Sequence, residues 1–242
     1  YDNALLVPVY LDAAQAFGEP RYREVARQVL DWMLREMQHE RGGFFSSQDA
    51  DSEGVEGKFF VWSQQEIEQV LGADAPAFNA HYGVTPGGNF EGHNILCVAK
   101  PSEERWGALA GARQRLYDVR QKRIPPSLDD KVLASWNGLA ISALALLGRV
   151  VGDERGARYL GAARSAAKFI LGSMQPGGKL ARAFKDGKAQ PVGYLGDHAN
   201  VVQGLLDLFE STFEPELLEE AVRLSGEVEA HFADKDAGGW FL

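Results

Sequence analysis

Cysteine occurs once in these 242 residues, at Cys97. An intrachain disulfide, a Cys-x-x-Cys redox pair and a cysteine zinc site are thereby excluded, and the usage fits a reducing cytoplasm. Basic charge is scarce: 25 Lys and Arg stand against 34 Asp and Glu, a formal net charge of -9. With no basic stripe to neutralise phosphates, nucleic acid is not expected as a partner. Long apolar runs are missing as well. The longest, Leu139–Leu147, is too short to cross a bilayer, so no membrane span is expected. The N-terminus shows no initiator Met, basic region or signal-like core and opens directly on helix-forming sequence, as a piece of a longer chain would.

What is present is a repeat. Tyr1-Asp2-Asn3-Ala4 opens an apolar helix ending near Gly18-Glu19-Pro20; an amphipathic helix runs from Arg21 to about Gln38; Gly42-Gly43-Phe44-Phe45 follows. Trp136-Asn137-Gly138 opens a second apolar helix, Gly152-Asp153-Glu154 turns it, Arg155–Ser173 is amphipathic, and Gly177-Gly178-Lys179-Leu180 follows. Asp197-His198-Ala199 opens a third, Phe213-Glu214-Pro215 turns it, Glu216–His231 is amphipathic, and Gly238-Gly239-Trp240-Phe241 closes it. The offset from opening motif to glycine pair is 40 residues in the first copy (Asp2 to Gly42) and 41 in the others (Trp136 to Gly177, Asp197 to Gly238).

Helices apolar all round are surrounded by protein, and amphipathic ones cover them. The pattern predicts an all-α, (α/α)6-toroid-like array of helical hairpins, an incomplete barrel with short β-hairpins at one rim. It reads as one domain over 1–242 with an irregular rim insertion at about 46–101. Pro8 is expected to kink the first inner helix or mark a late start. Within the insertion, Lys58–Trp62 and Asn94–Ala99 read as strands, Ser63–Glu66 as a capping box opening a helix to Leu71, Pro76–Tyr82 as a further turn of helix, and Ser102–Arg123 as a long helix capped by Ser102. Antiparallel hairpins bring the N-terminal ends of all inner helices to one mouth, which places Asp2, Asn3, Trp136, Asn137, Asp197 and His198 together.

Several motifs in order resemble a known family: Tyr1-Asp2-Asn3-Ala4, Gly43–Ser52, Glu56–Trp62, Gly88-Asn89-Phe90-Glu91-Gly92, Asp129-Asp130-Lys131 and Ser135-Trp136-Asn137-Gly138. They are similar to the bacterial relatives of spermatogenesis-associated protein 20, over essentially the whole chain. The resemblance implies a thioredoxin-like domain in the full-length protein and an (α/α)6 barrel similar to six-hairpin glycosidases and N-acylglucosamine 2-epimerase. A small polyhydroxylated molecule, a sugar, is the partner this implies by analogy of fold.

The residues at the mouth are weighed on that basis. Glycoside hydrolysis needs two carboxylates and epimerisation needs a base able to move a proton near neutrality. Asp129 and Asp130 are the best acid/base candidates, with His198 as proton carrier. Asp2, Asn3, Asp49, Asp51, Glu91, His93, Lys131, Asn137 and Asp197 are candidates to hold hydroxyl groups, and Trp62, Trp136 and Tyr194 to stack on sugar faces. The run Asp49-Ala50-Asp51-Ser52-Glu53-Gly54 has calcium-loop spacing, but its twelfth position is Phe60 and a strand-like segment follows. No metal and no cofactor are assigned. His39 and His231 lie near outer-helix C-termini, where the dipole alone accounts for a histidine. The alternative is a non-catalytic scaffold for the redox domain, or a solenoid whose mouth groups only cap helices. An open ring would also expose apolar flanks and self-associate through them.

Overall fold

The computed structural model describes residues 1–99 and 103–241. In chain order its helices are α1 (Asp2–Phe17), α2 (Pro20–Trp32), α3 (Gln64–Leu71), α4 (Ala75–Tyr82), α5 (Glu103–Ala108), α6 (Ala110–Arg120), α7 (Ala134–Val151), α8 (Glu154–Ser173), α9 (Leu195–Thr212) and α10 (Pro215–Phe232). They fall into two compact units, one of Tyr1–Ser47 with Asp129–Leu242 and one of Gln48–Leu128. The sequence suggests a rim insertion at about 46–101. The compact unit instead continues to Leu128, because α6 contributes Ala112 and Leu116 to the same core as Trp62, Ile67, Leu71 and Phe78.

The first unit is an array of α/α-toroid hairpins: α1 with α2, α7 with α8, α9 with α10. Glycine ends the inner helices where a left-handed residue must close the last turn, at Gly18 (φ 67°) and Gly152 (φ 67°). Phe213 takes that conformation after α9 (φ 56°). Proline then starts α2 and α10, where its missing N–H costs nothing. Asp153 opens α8 by accepting from the amides of Arg155 (2.8 Å) and Gly156 (3.2 Å). The helix α1 runs on through Pro8 as one helix.

α7 is the centre. Ile141, Leu144 and Leu147 are fully buried, each contributing about 1.5–3 kcal/mol of transfer free energy. Its 18 residues are long and apolar enough to cross a membrane by composition, more than the Leu139–Leu147 run suggests, because small residues extend the apolar surface at both ends. That surface is spent on packing against α1, α8 and α9. α7 and α9 run parallel: Ser135 meets Asn200 (2.7 Å), the hydroxyl of Ser142 meets the Asp207 carboxylate, and Ser211 meets the carbonyl of Ala145 (3.3 Å). They approach so closely at Gly138 and Gly204 that a Cβ on Gly204 would stand 2.4 Å from the Gly138 carbonyl oxygen. α1 is less enclosed, with Leu5, Leu6 and Val9 exposed along one side.

A three-stranded antiparallel sheet joins this unit. Ala181–Lys185 lies between Val132–Leu133 and Lys188–Val192, with Val132 opposite Phe184 and Ala183 opposite Gln190. Asp186 (φ 50°) and Gly187 (φ 76°) make its tight turn.

In the second unit the capping box at Ser63 and Glu66 forms as the sequence indicates, closed by two hydrogen bonds of 2.8 and 3.1 Å. Three readings are corrected, and Asn94–Ala99 is the first: beyond a single bridge at Asn94 it is irregular and forms no strand. Lys58–Trp62 is not a strand: the guanidinium of Arg123 donates to the carbonyls of Phe59 (3.0 Å) and Val61 (2.8 Å), holding the segment in turns. Only Trp62 forms a β-bridge, to Asn94. The expected long helix is interrupted at Leu109, which leaves helical geometry (φ -89°, ψ 5°) and turns its side chain into the core. The expected Ser102 cap lies outside the described residues.

Candidate functional site

The inner-helix N-termini of the first unit do meet. The rings of Tyr1 and Trp136 lie 4.8 Å apart, which brings the starts of α1 and α7 together. Asp197 joins the starts of α7 and α9: one carboxylate oxygen accepts from the Ser135 amide (3.2 Å) and the other from the Tyr194 amide (2.9 Å). A negative charge there opposes the positive ends of two helix dipoles. Beside it opens a cleft of about 280 Å³ lined by Leu133, Ser135, Trp136, Arg182, Tyr194, Gly196 and Asp197. Aromatic walls with a few directed polar groups are the usual make-up of a small-molecule site.

Of the sequence candidates, Trp136, Tyr194 and Asp197 come together here. Asn137, next to Trp136, turns the other way. It is 1% exposed and spends its amide on the Phe44 N–H (2.7 Å), the Phe44 carbonyl (3.0 Å) and the Leu133 carbonyl (2.9 Å). His198 also turns inward, with Nδ1 2.9 Å from the Tyr194 carbonyl and Nε2 3.4 Å from Glu227 of α10. Asp2 is exposed in the first turn of α1 and Asn3 is half-buried beside it.

Asp129 and Asp130 point to different partners, as neighbours on an extended segment do. Asp129 pairs with Lys131 (3.1 Å) and Asp130 with Lys185 (2.9 Å). Burial pushes the Asp129 carboxyl up, but hydrogen bonds from Ser46 and Lys131 outweigh it and hold the group below the ordinary aspartate range. The hydrogen bond to Asp130 lifts the Lys185 ammonium above its usual value. Asp130 lines a cavity of about 390 Å³ with His39, Phe45, Phe184, Lys185 and Asp186. His39 sits there 5.3 Å from the Phe45 and Phe169 rings, its Nδ1 accepting from the Arg41 amide (2.9 Å).

The remaining candidates belong to the second unit. Asp49 accepts from the Ser127 hydroxyl (3.1 Å) and the Asp51 amide (3.4 Å) in a local turn, and Asp51 pairs with Glu56 across a short hairpin. Trp62 is 2% exposed, its face covered by the Arg123 guanidinium at 4.1 Å. Glu91 and His93 line a cavity of about 560 Å³ with Lys58, Phe90, Lys122 and Arg123. Glu91 holds a left-handed backbone (φ 46°), and the His93 Nδ1 lies 3.3 Å from its carbonyl. Among the described residues, no group of three or more His, Cys, Asp or Glu gathers as a metal ion requires.

Arg182 escapes the sequence reading, and His39 is set aside there as a histidine explained by a helix C-terminus. Arg182 reaches the mouth because the hairpin Ala181–Val192 folds back beside the start of α9, with Gly193 donating to the Leu180 carbonyl at 2.8 Å. Nothing local announces this. His39 had a signal in the nearby Phe44-Phe45 pair, which supplies part of its aromatic surround.

No protein-family model matches this sequence. Human spermatogenesis-associated protein 20 is 35% identical over all of this chain, and the mouse protein of that name is 34% identical. The chain belongs to the family of spermatogenesis-associated protein 20. It spans 36% of the length of those two relatives. An uncharacterized protein of Caenorhabditis elegans is 26% identical, again over the whole chain. Among solved structures, a sugar epimerase from a ruminal bacterium is similar at TM-score 0.45 and 13% identity, covering 100% of this chain and 62% of its own. A D-mannose isomerase gives TM-score 0.42 and 12% identity, covering 99% and 77%.

Proposed function

We propose that this domain binds a carbohydrate in the cleft at the N-terminal ends of α7 and α9. The observation behind the proposal is that Trp136 and Tyr194 share one cleft with Ser135, Arg182 and the backbone of Gly196. Aromatic faces suit the C–H faces of a sugar ring, while the hydroxyl, guanidinium and amide groups suit its oxygens. The volume, about 280 Å³, fits one or two sugar rings. For turnover as an epimerase, isomerase or hydrolase, Asp130 and His39 are the pair to test, since a carboxylate and a histidine share the separate cavity of about 390 Å³.

The test is a thermal-shift screen of the protein against neutral and acidic monosaccharides and disaccharides, with Trp136→Ala beside it. A ligand at 100 times its dissociation constant raises stability by about 2.7 kcal/mol. The expected result is a sugar-dependent shift that the variant lacks. A shift equal in both proteins removes the mouth from consideration.

The exposed row Leu5, Leu6 and Val9 on α1 favours a second reading in addition: a face that docks another helical hairpin, supplied by a second copy of this chain. Light scattering decides it. A concentration-dependent dimer that Val9→Glu abolishes is expected; a monomer at every concentration removes the reading.

A further inference from the structure

We infer that the sugar taken by this mouth is an acidic one, its carboxylate or phosphate held by Arg182. The inference rests on the carbohydrate reading above and adds the charge of the ligand. The chain carries a net charge of -9, yet the charge left over at this cleft is positive. Asp197 is the one carboxylate lining it. That group is 5% exposed and both its oxygens are engaged, one on the amide of Ser135 and one on the amide of Tyr194. Each of the two 18-residue helices it closes presents about half a positive charge at its N-terminus. Asp197 is therefore offset by the helices it caps, and among the described residues no carboxylate pairs with the guanidinium of Arg182.

Arg182 forms no ion pair among the described residues. It lies instead over the Tyr194 ring, 5.0 Å from its centroid. Stacking keeps the planar fork oriented while leaving its N–H edge for a ligand, and that fork matches a carboxylate or phosphate in bidentate fashion. Gly196, in the first turn of α9, has open space where a Cβ would stand, so ligand oxygens can approach the helix start there. A neutral sugar would leave the guanidinium without a counter-charge.

Calorimetric titration of the protein with D-glucuronate, D-glucose 6-phosphate and D-glucose tests this, with Arg182→Gln run beside the wild type. Arg182 is exposed, and an unchanged melting temperature will show that the variant folds. One or both acidic sugars should bind at least tenfold more tightly than glucose, with the preference weakening in high salt. Arg182→Gln should reduce that affinity to the level of glucose. The comparison between the two acids separates a carboxylate site from a phosphate site. Glucose binding as tightly as both acids, or a variant that keeps the acid preference, overturns the inference and leaves the carbohydrate reading standing. No heat and no thermal shift with any of the three overturns both.

Discussion

The side chain of Asn137 replaces a strand partner for Phe44: its amide accepts from the Phe44 N–H at 2.7 Å and donates to the Phe44 carbonyl at 3.0 Å. The segment that follows α2 is thereby fastened to the start of α7. Asn137→Ala should leave both backbone groups buried and unpaired, each costing about 1–3 kcal/mol, for a total loss of about 3 kcal/mol. Urea unfolding measures this. A loss well under 1 kcal/mol would mean that water takes over both bonds.

The close crossing of α7 and α9 predicts opposite signs for two glycine substitutions. Gly204→Ala puts a methyl 2.4 Å from the Gly138 carbonyl oxygen and should cost about 3 kcal/mol or more, since backbone cannot yield as a side chain does. Gly172→Ala in α8 meets open space and should stabilise by about 0.5–1 kcal/mol through helix propensity. Melting temperatures of the two variants should therefore fall on either side of the wild type.

Asp197 needs both oxygens as acceptors. In Asp197→Asn one of them becomes a donor that faces an N–H, so one helix start loses its partner. A loss of about 1–2 kcal/mol is expected, in the range of a lost N-cap. Amide exchange should speed up at Ser135 or Tyr194 and not across the rest of α7. Uniform exchange throughout the unit would instead indicate global destabilisation.

Stability should fall at both ends of the pH range for identifiable reasons. The guanidinium of Arg27 holds the Glu24 carboxyl below its ordinary value of 4.5. A depressed carboxylate contributes stability above its unfolded value and loses it as pH falls through the folded one. Melting temperature should thus drop below about pH 4.5, and Glu24→Gln should flatten that limb. Tyr159 has the opposite sign. Burial, with its hydrogen bond to Asp31 (2.8 Å), pushes the phenol above its ordinary 10.0, so its contribution is present below pH 10 and is lost as pH rises through the folded value. Tyr159→Phe should cost about 1 kcal/mol at neutrality and remove that alkaline loss.

The hairpins were legible because their signals are local. An inner helix such as Ala134–Val151 must be apolar on every side, a cap such as Gly152 must tolerate a positive φ, and Pro215 can only open a helix. The second unit was read less well. The run Lys58–Trp62 has strand-like composition, yet Arg123, more than sixty residues away, claims its carbonyls. The break at Leu109 answers to burial in a core that no local pattern reveals.

At the mouth, sequence by itself determined that polar and aromatic residues open each inner helix, because helix length and loop length bring those ends together. Tertiary structure decided what each residue does there. Trp136 and Asn137 are neighbours, but successive helical positions diverge by about 100°, so one lines the cleft while the other clamps Phe44. Asp197 and His198 part in the same way, one to the starts of α7 and α9 and one to Glu227 of α10. Arg182 arrives from a hairpin far along the chain. Which polar groups hold the fold and which remain for a ligand depends on the backbone that lies opposite each of them, and only the packed hairpins supply it.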